Sequence, residues 1–318
     1  MTQQARKIAI LGAGTMGTGL AALFASQRWQ VSLYSIPDPS LDRAPSLVRN
    51  ALEGLAEGGR IAMSDVPALT DMVRCTSSLE EAVAGCPMIL ETVLERLDVK
   101  KGVYEQLDAI CPEDVIITSN TSYLDIFSVM PARRQKKTAI THFFTPPQIM
   151  PLVEVVRGTE TDDATVKYLV DLYDGMGHVP VTMEKYVPGF CVNRLLRCIT
   201  DQACWLVDGG YITAEELDKA AKASIIPRAM VLGIMQRYDF TGIDLSWQNI
   251  KNGTDTATPP GYKPKCVTKL AEAGDYGVKT GKGFYDYTGR TMEEVFRERD
   301  KRVMEILDVG KKYIKNPV

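Results

Sequence analysis

The run KIAILGAGTMGTGLAALFAS, residues 7–26, narrows what the chain can become more than any other stretch. A short β-rich segment from Lys7 leads directly into Gly12-x-Gly14-x-x-Gly17, and an apolar helical pattern follows. In that strand–turn–helix setting each glycine has a separate reason. Gly12 permits a tight turn, Gly14 lets the backbone approach a diphosphate, and Gly17 lets helix pack close on strand. The helix N-terminus then aims its free N–H groups at the phosphates. The spacing predicts a dinucleotide site built from Gly12, Gly14, Thr15, Met16 and Gly17, opening a doubly wound parallel sheet.

The next 160 residues alternate β-rich runs with helical periodicity, as a sheet covered by helices on both faces requires. Strands are expected at 7–12, 30–35, 72–76, 88–93, 115–119, 138–143, 152–158 and 178–183. Residues 43–70 interrupt the alternation and read as a two-helix arm. After KYVPGFCVN the periodicity turns helical, with turns at Gly209-Gly210 and Pro259-Pro260. The reading is therefore an N-terminal Rossmann-type α/β domain, 1–186, followed by an all-α domain, 187–318. The tail from Thr291 reads as an amphipathic helix whose stripe, Val295, Phe296, Val303, Ile306 and Leu307, calls for burial on its own domain or across a dimer.

Bulk properties remove other classes. A net charge of −3, with cations spread along the chain, argues against nucleic acid or an anionic membrane as partner. The run RRQKK, 133–137, reads as a solvated loop between strands. Seven cysteines without a CxxC pair point to a reduced, cytoplasmic protein. Two histidines and no paired cysteines argue against a zinc site. No apolar run reaches membrane-spanning length, and the start carries no signal-peptide pattern.

Four segments carry chemistry. TSNTSYL places Asn120 and Ser122 just beyond a strand, and THFFTPP places His142 at the end of the next. PLVEVV holds Glu154 inside an apolar strand, and VPGFCVNRLL puts Asn193 at the start of a helix. Singly, Ser122 and Asn193 are ordinary helix caps, Glu154 an exposed strand position and His142 a core histidine. Beside a dinucleotide site they fit one task. Oxidising a secondary alcohol needs a base for the hydroxyl proton, a carboxylate to fix its tautomer, and polar groups to hold the substrate oxygens. His178 has no evident partner and reads as structural. Prolines 146 and 147 read as stiffeners of a loop forming one wall of the site.

The end of the second strand, LYSIPDP, puts Ser35 where a carboxylate is expected to bind the ribose 2′-hydroxyl. Serine bonds a hydroxyl and does not repel a 2′-phosphate. Asp38 offers a carboxylate to the ribose instead, and Arg43 a charge to a phosphate. NAD is the expected cofactor and NADP the alternative.

Taken in order, GAGTMGTGLA, SNTS, HFF-x-P, PLVEVV-x-G, PGF-x-VNRLL and YGVKTGKGFYDY resemble the motifs of the 3-hydroxyacyl-CoA dehydrogenase family over residues 6–288. The resemblance implies a Rossmann-type domain, a helical domain that dimerises, and a hydride exchange between a 3-hydroxy and a 3-oxo compound. It implies His142 as base, Glu154 as its partner, Ser122 and Asn193 as substrate contacts, and Glu95, Lys100 and Asn120 near the cofactor. The chain also departs from the pattern. Thr145 replaces the asparagine of F-F-N-P, and Pro147 and Pro151 resemble a branch acting on small free hydroxy acids. The arm reads NALEGLAEGGR, with Gly54 and Gly58 in place of lysines, only Arg60 keeping a charge, and Glu53 and Glu57 added. That surface suits the phosphates of CoA poorly. Thr145, Pro147 and Arg228 or Arg237 are the expected substrate contacts, an arginine clamping a carboxylate, while Met230 and Met235 read as core. Two other readings stand beside this one. A 6-phosphogluconate-type dehydrogenase would need a lysine where the helical domain has Asn193-Arg194, and a crystallin-like or sensory dinucleotide binder would need no catalytic set.

Overall fold

The computed structural model describes residues 6–235, 252 and 265–314. It divides into two compact units, Met1–Arg194 and Leu195–Val318. The first holds one eight-stranded sheet: β1 (Lys7–Leu11), β2 (Gln30–Tyr34), β3 (Val73–Thr76), β4 (Met88–Glu91), β5 (Ile116–Ser119), β6 (Thr138–Phe143), β7 (Leu152–Arg157) and β8 (Val179–Met183). Helices α1 (Thr15–Ser26), α2 (Pro39–Glu57), α3 (Val66–Thr70), α4 (Leu79–Val83), α5 (Leu97–Ile110) and α6 (Asp163–Gly175) cover it, and α7 (Val192–Asp208) begins within this unit.

Strand order is β3-β2-β1-β4-β5-β6-β7-β8. Every neighbouring pair is parallel except β6 and β7. The chain reverses direction across the sheet between β1 and β4, the crevice where open α/β sheets bind ligands. Period-two alternation builds the two cores. Ile8 and Ile10 face a layer with Leu20, Phe24 and Tyr173, while Ala9 and Leu11 face Tyr104, Leu107 and Phe190 on the other side. Both faces of the strands are thus buried, which explains their near-continuous apolar runs.

All eight strands lie where the sequence predicts them, within one or two residues at each end. The arm begins earlier than expected, because Asp38 caps α2 through the Ser40 N–H at 2.7 Å and Pro39 takes the first helical position.

Three expectations are corrected. RRQKK is not a solvated loop: it forms a 3-10 turn in which Arg134 is 0% exposed. Its guanidinium donates to the carbonyls of Leu107, Asp108, Cys111 and Pro112 and to Asp108 Oδ1. It thereby satisfies the carbonyl end of α5, whose last turn lacks intrahelical partners. His178 does have a partner, since Nδ1 lies 3.1 Å from the Pro151 carbonyl, and burial pushes its pKa down.

The third lies in the second unit, whose described residues include helices Ala214–Ala220, Ile226–Leu232, Lys265–Glu272 and Met292–Ile314. On the last helix Val295, Phe296, Val303 and Leu307 are half-buried, but Ile306 is 62% exposed. The buried seam runs through Met304 and Gly310, and Ile306 sits on the opposite side of the helix from Met304. Met230 packs beside Gly310, whereas Met235 is 76% exposed because Gly233, at φ +69°, ends the preceding helix before it. Arg237 and the Pro259-Pro260 turn lie outside the described residues. Among the described residues no helix is long and apolar enough to cross a membrane.

Candidate active site

The glycine turn joins β1 to α1 beside the end of β4. Gly12 has φ +110°, and a Cβ there would lie 2.7 Å from the Thr92 carbonyl oxygen. At Gly17 a Cβ would fall 1.7 Å from the Gly12 carbonyl oxygen, so helix and turn meet too closely for any side chain. Gly14 differs: a Cβ there meets nothing within 4 Å. The room beside Gly14 fits a diphosphate, and it faces the start of a helix whose first turn has no side-chain cap. Thr15 is exposed beside it and Met16 is half-buried.

Gly12 N–H donates to the Tyr34 carbonyl at 2.7 Å, which fixes the end of β2 against this turn. Ser35 follows and is buried, its hydroxyl 3.4 Å from the Ser40 hydroxyl. Arg43 donates Nε to the Pro39 carbonyl at 3.1 Å.

His142 and Glu154 are cross-strand partners in the antiparallel β6–β7 pair. That register explains their twelve-residue spacing, because opposite residues in such a pair share one face and touch. His142 Nδ1 lies 2.8 Å from Glu154 Oε2. Glu154 Oε1 accepts two further bonds, from the backbone N–H of Cys191 at 3.0 Å and of Val192 at 2.9 Å. An ionised carboxylate accepts through both oxygens, so Nδ1 is the donor in this contact. The ring is held edge-on against Phe144 and Phe190, at centroid distances of 4.6 and 5.3 Å.

The PGF turn makes the second half of this contact. Gly189 at φ +78° and Phe190 at φ +50° reverse the chain so that the next two N–H groups point at Glu154. A non-glycine residue in that conformation stores strain, and Phe190 is held there by complete burial. Asn193 sits in the first turn of α7, one residue beyond the N–H groups that Glu154 binds.

A second buried carboxylate, not singled out by the sequence, ends β4. Glu91 is 0% exposed and accepts Lys100 Nζ, Tyr104 OH, Ser119 Oγ and Val93 N–H, each at 2.7 Å. Burial beside this anion pushes the Tyr104 hydroxyl pKa well up. Lys100, expected near the cofactor, is 1% exposed, with its ammonium on Glu91 and 3.4 Å from Glu95 Oε2. Its charge is spent inside the protein, because the acceptors on β4 and its following loop surround it.

Glu95 reaches forward to the turn after β5. Its Oε1 accepts the Thr121 hydroxyl at 2.6 Å and the N–H groups of Ser122 and Tyr123 at 2.8 and 3.1 Å. Burial raises the Glu95 pKa, but these bonds and the Lys100 charge outweigh it and hold it below the usual range. Ser122 is thereby fixed by its backbone. Asn120 uses its side-chain oxygen to accept the Phe143 N–H at 2.8 Å, tying the β5 end to the strand that carries His142. The only sequence signal for Glu91 was a carboxylate in an otherwise apolar central strand.

The β6–β7 loop leans on α1. The Thr145 hydroxyl donates to Met16 Sδ at 3.1 Å, and a Cβ at Gly19 would lie 2.7 Å from Pro147 Cγ. Pro146 and Pro147 are buried while Thr145 stays exposed. Arg228, in the other unit, bonds the Ser224 carbonyl at 3.1 Å and hydroxyl at 2.8 Å, and is exposed.

Dinucleotide-dependent dehydrogenases are the class that this sheet and its carboxyl edge define. Comparison with known proteins narrows it. The NAD binding domain of 3-hydroxyacyl-CoA dehydrogenase matches residues 7–186, and its C-terminal domain matches residues 189–287. The chain belongs to the 3-hydroxyacyl-CoA dehydrogenase family, whose members are NAD-dependent enzymes acting on hydroxyl groups.

It is 31% identical to 5-formyl-3-hydroxy-2-methylpyridine 4-carboxylate 5-dehydrogenase of Mesorhizobium japonicum, over 95% of this chain and 97% of that one. It is also 31% identical to 3-hydroxybutyryl-CoA dehydrogenase of Clostridioides difficile, over 88% of this chain and 99% of the relative. A solved structure of a 5-formyl-3-hydroxy-2-methylpyridine 4-carboxylic acid 5-dehydrogenase, described as an NAD+-dependent dismutase, superposes with a TM-score of 0.85 at 29% identity. That match covers 96% of this chain and 98% of the other.

Proposed function

We propose that this dehydrogenase interconverts a small, free hydroxy acid and its oxo counterpart, with His142 as general base and acid. The observation that carries the catalytic part is Glu154, bound at once to His142 Nδ1 and to the first turn of α7. With Nδ1–H committed, Nε2 is the atom that takes the hydroxyl proton in oxidation and returns it in reduction. The adjacent carboxylate balances the charge the ring gains. Ser122, fixed through Glu95, orients the reacting oxygen, and Asn193 holds a neighbouring carbonyl or carboxylate. Phe144 and Phe190 pack about the imidazole and shield it from water.

NAD, when bound, accepts or supplies the hydride. Gly12, Gly14, Thr15, Met16 and Gly17 would hold its diphosphate and the loop after β2 its ribose. Glu95 would line the cofactor side, while Lys100 would act from behind it.

A free acid is favoured over a thioester by the arm. Its helix α2 pairs Arg49 with Glu53 at 3.0 Å, leaves Glu57 exposed, and carries no cluster of lysines for CoA phosphates. The similarity to an enzyme named for a pyridine carboxylate points the same way. Thr145 and Pro147 on the loop after β6, and Arg228 as a carboxylate clamp, complete the proposed substrate contacts. We read the enzyme as cytoplasmic and as a homodimer through the helical unit. Family membership replaces the 6-phosphogluconate-type reading, and the complete polar set speaks against a non-catalytic binder.

Kinetics with 3-hydroxybutyryl-CoA and a panel of free hydroxy acids, side by side, test the substrate class. A higher kcat/KM on at least one free acid is expected, and a clear preference for the thioester overturns it. Light scattering of the purified chain tests the dimer.

A further inference from the structure

The loop after β2 is where a dinucleotide-binding sheet distinguishes a ribose hydroxyl from a ribose phosphate, and this chain builds it unusually. The residue directly after β2 is Ser35, which is buried and has no charge. The first carboxylate comes three residues later, at Asp38. Left in an extended chain it would lie far from the strand end.

The structure brings it back. The Ser40 hydroxyl lies 2.5 Å from Asp38 Oδ1 and 3.4 Å from the Ser35 hydroxyl, so Asp38 stands two hydrogen-bond lengths from the end of β2. The Ser40 N–H binds the same Oδ1 at 2.7 Å. Both bonds fall on Oδ1, so the second oxygen retains acceptor capacity. The Ser40 hydroxyl and N–H also hold the carboxyl pKa below its usual range, ahead of a small opposing effect of burial, with further help from Leu41 and Arg43. The group is therefore anionic at neutral pH. It is only partly covered, as a ligand contact must be. Arg43, the nearest cation along the chain, directs Nε back to the Pro39 carbonyl.

We propose that Asp38 is the specificity-determining residue for NAD over NADP, supplying from the N-cap of α2 the negative charge that Ser35 lacks. Its carboxylate accepts the ribose 2′-hydroxyl and repels a 2′-phosphate. The proposal rests on the dinucleotide site described above. It adds that the discriminating charge has moved off the strand and is held in place by Ser40.

Equilibrium titration of the full-length protein with NAD and with NADP, followed by calorimetry, reads this without any turnover. The native chain is expected to bind NADP on the order of 100-fold more weakly than NAD, as like charges in contact require. Asp38→Asn is the informative variant, because asparagine caps a helix as well as aspartate does and removes only the charge. It should shrink the NADP-to-NAD ratio of Kd values at least roughly tenfold, with an unchanged Tm. Adding Ser35→Asp to Asp38→Asn should restore the preference for NAD. A ratio that Asp38→Asn leaves unaltered, or a native chain that binds both nucleotides alike, overturns the proposal. Failure of the native chain to bind either nucleotide overturns the dinucleotide site itself, and the proposal with it.

Discussion

Glu91 and Glu154 both end up fully buried near the carboxyl edge of the same sheet, one on parallel β4 and the other on antiparallel β7. Their surroundings differ in kind. Glu91 has a cation, two hydroxyls and a backbone N–H, and every partner is itself buried or part of the sheet edge. Among the described residues Glu154 has no lysine or arginine partner. Its partners are two backbone N–H groups and an imidazole whose other nitrogen makes no hydrogen bond among the described residues. Burial of a charge alone therefore says little about its use. The distinction is whether a partner has a valence left over: Lys100 has spent its charge, and His142 has not spent its Nε2.

This contrast can be broken by substitution. The largest effect is expected from His142→Ala, which should lower kcat by about 10²- to 10⁴-fold, the range of general acid–base catalysis. NAD affinity and Tm should stay near native. Next comes Glu91→Ala, which strands a buried lysine and should cost about 3–5 kcal/mol of stability in a denaturant titration. The folded fraction should retain most of its kcat, and a specific collapse of kcat without lost stability would make Glu91 a working group after all.

Glu154→Gln should separate the two roles of that residue. The amide oxygen still accepts the Cys191 and Val192 N–H groups, but the amide nitrogen cannot accept from Nδ1–H. A roughly 10²-fold fall in kcat with little loss of Tm is expected. A loss of stability as large as that of Glu91→Ala would erase the contrast.

The smallest effect concerns the second histidine. Burial depresses the His178 pKa below its ordinary 6.5. The folded chain keeps it neutral where the unfolded chain binds a proton, so stability is full above about pH 6.5 and declines as the pH falls through the folded value. His178→Gln should flatten that part of a Tm-against-pH curve, and an unchanged slope would assign the acid sensitivity elsewhere.

The sheet was legible because parallel strands buried on both faces leave unbroken apolar runs at regular intervals. The glycine turn was legible because each glycine answers a different steric demand. The geometry around Glu154 was half legible. The twelve-residue spacing becomes a cross-strand pair once β6 and β7 are known to be antiparallel, but nothing in the sequence shows the Cys191 and Val192 N–H groups turning toward it. Glu91 was missed because its partners come from an adjacent strand and from a helix nine and thirteen residues on. Arg134 was misread for a related reason: a cation in a basic run looks solvated, and the carbonyls that bury it belong to α5. Met235 failed at a finer level, where a hydrophobic count does not fix the place where a glycine ends a helix.

Glu154 also has a mechanical meaning. The imidazole and the first turn of α7, with Asn193 on it, are referenced to one anion rather than to each other. A shift of β7 carries both the same way, so their separation is preserved better than the position of either. In the proposed reaction, that relative placement is the quantity a substrate spanning the two groups would sense.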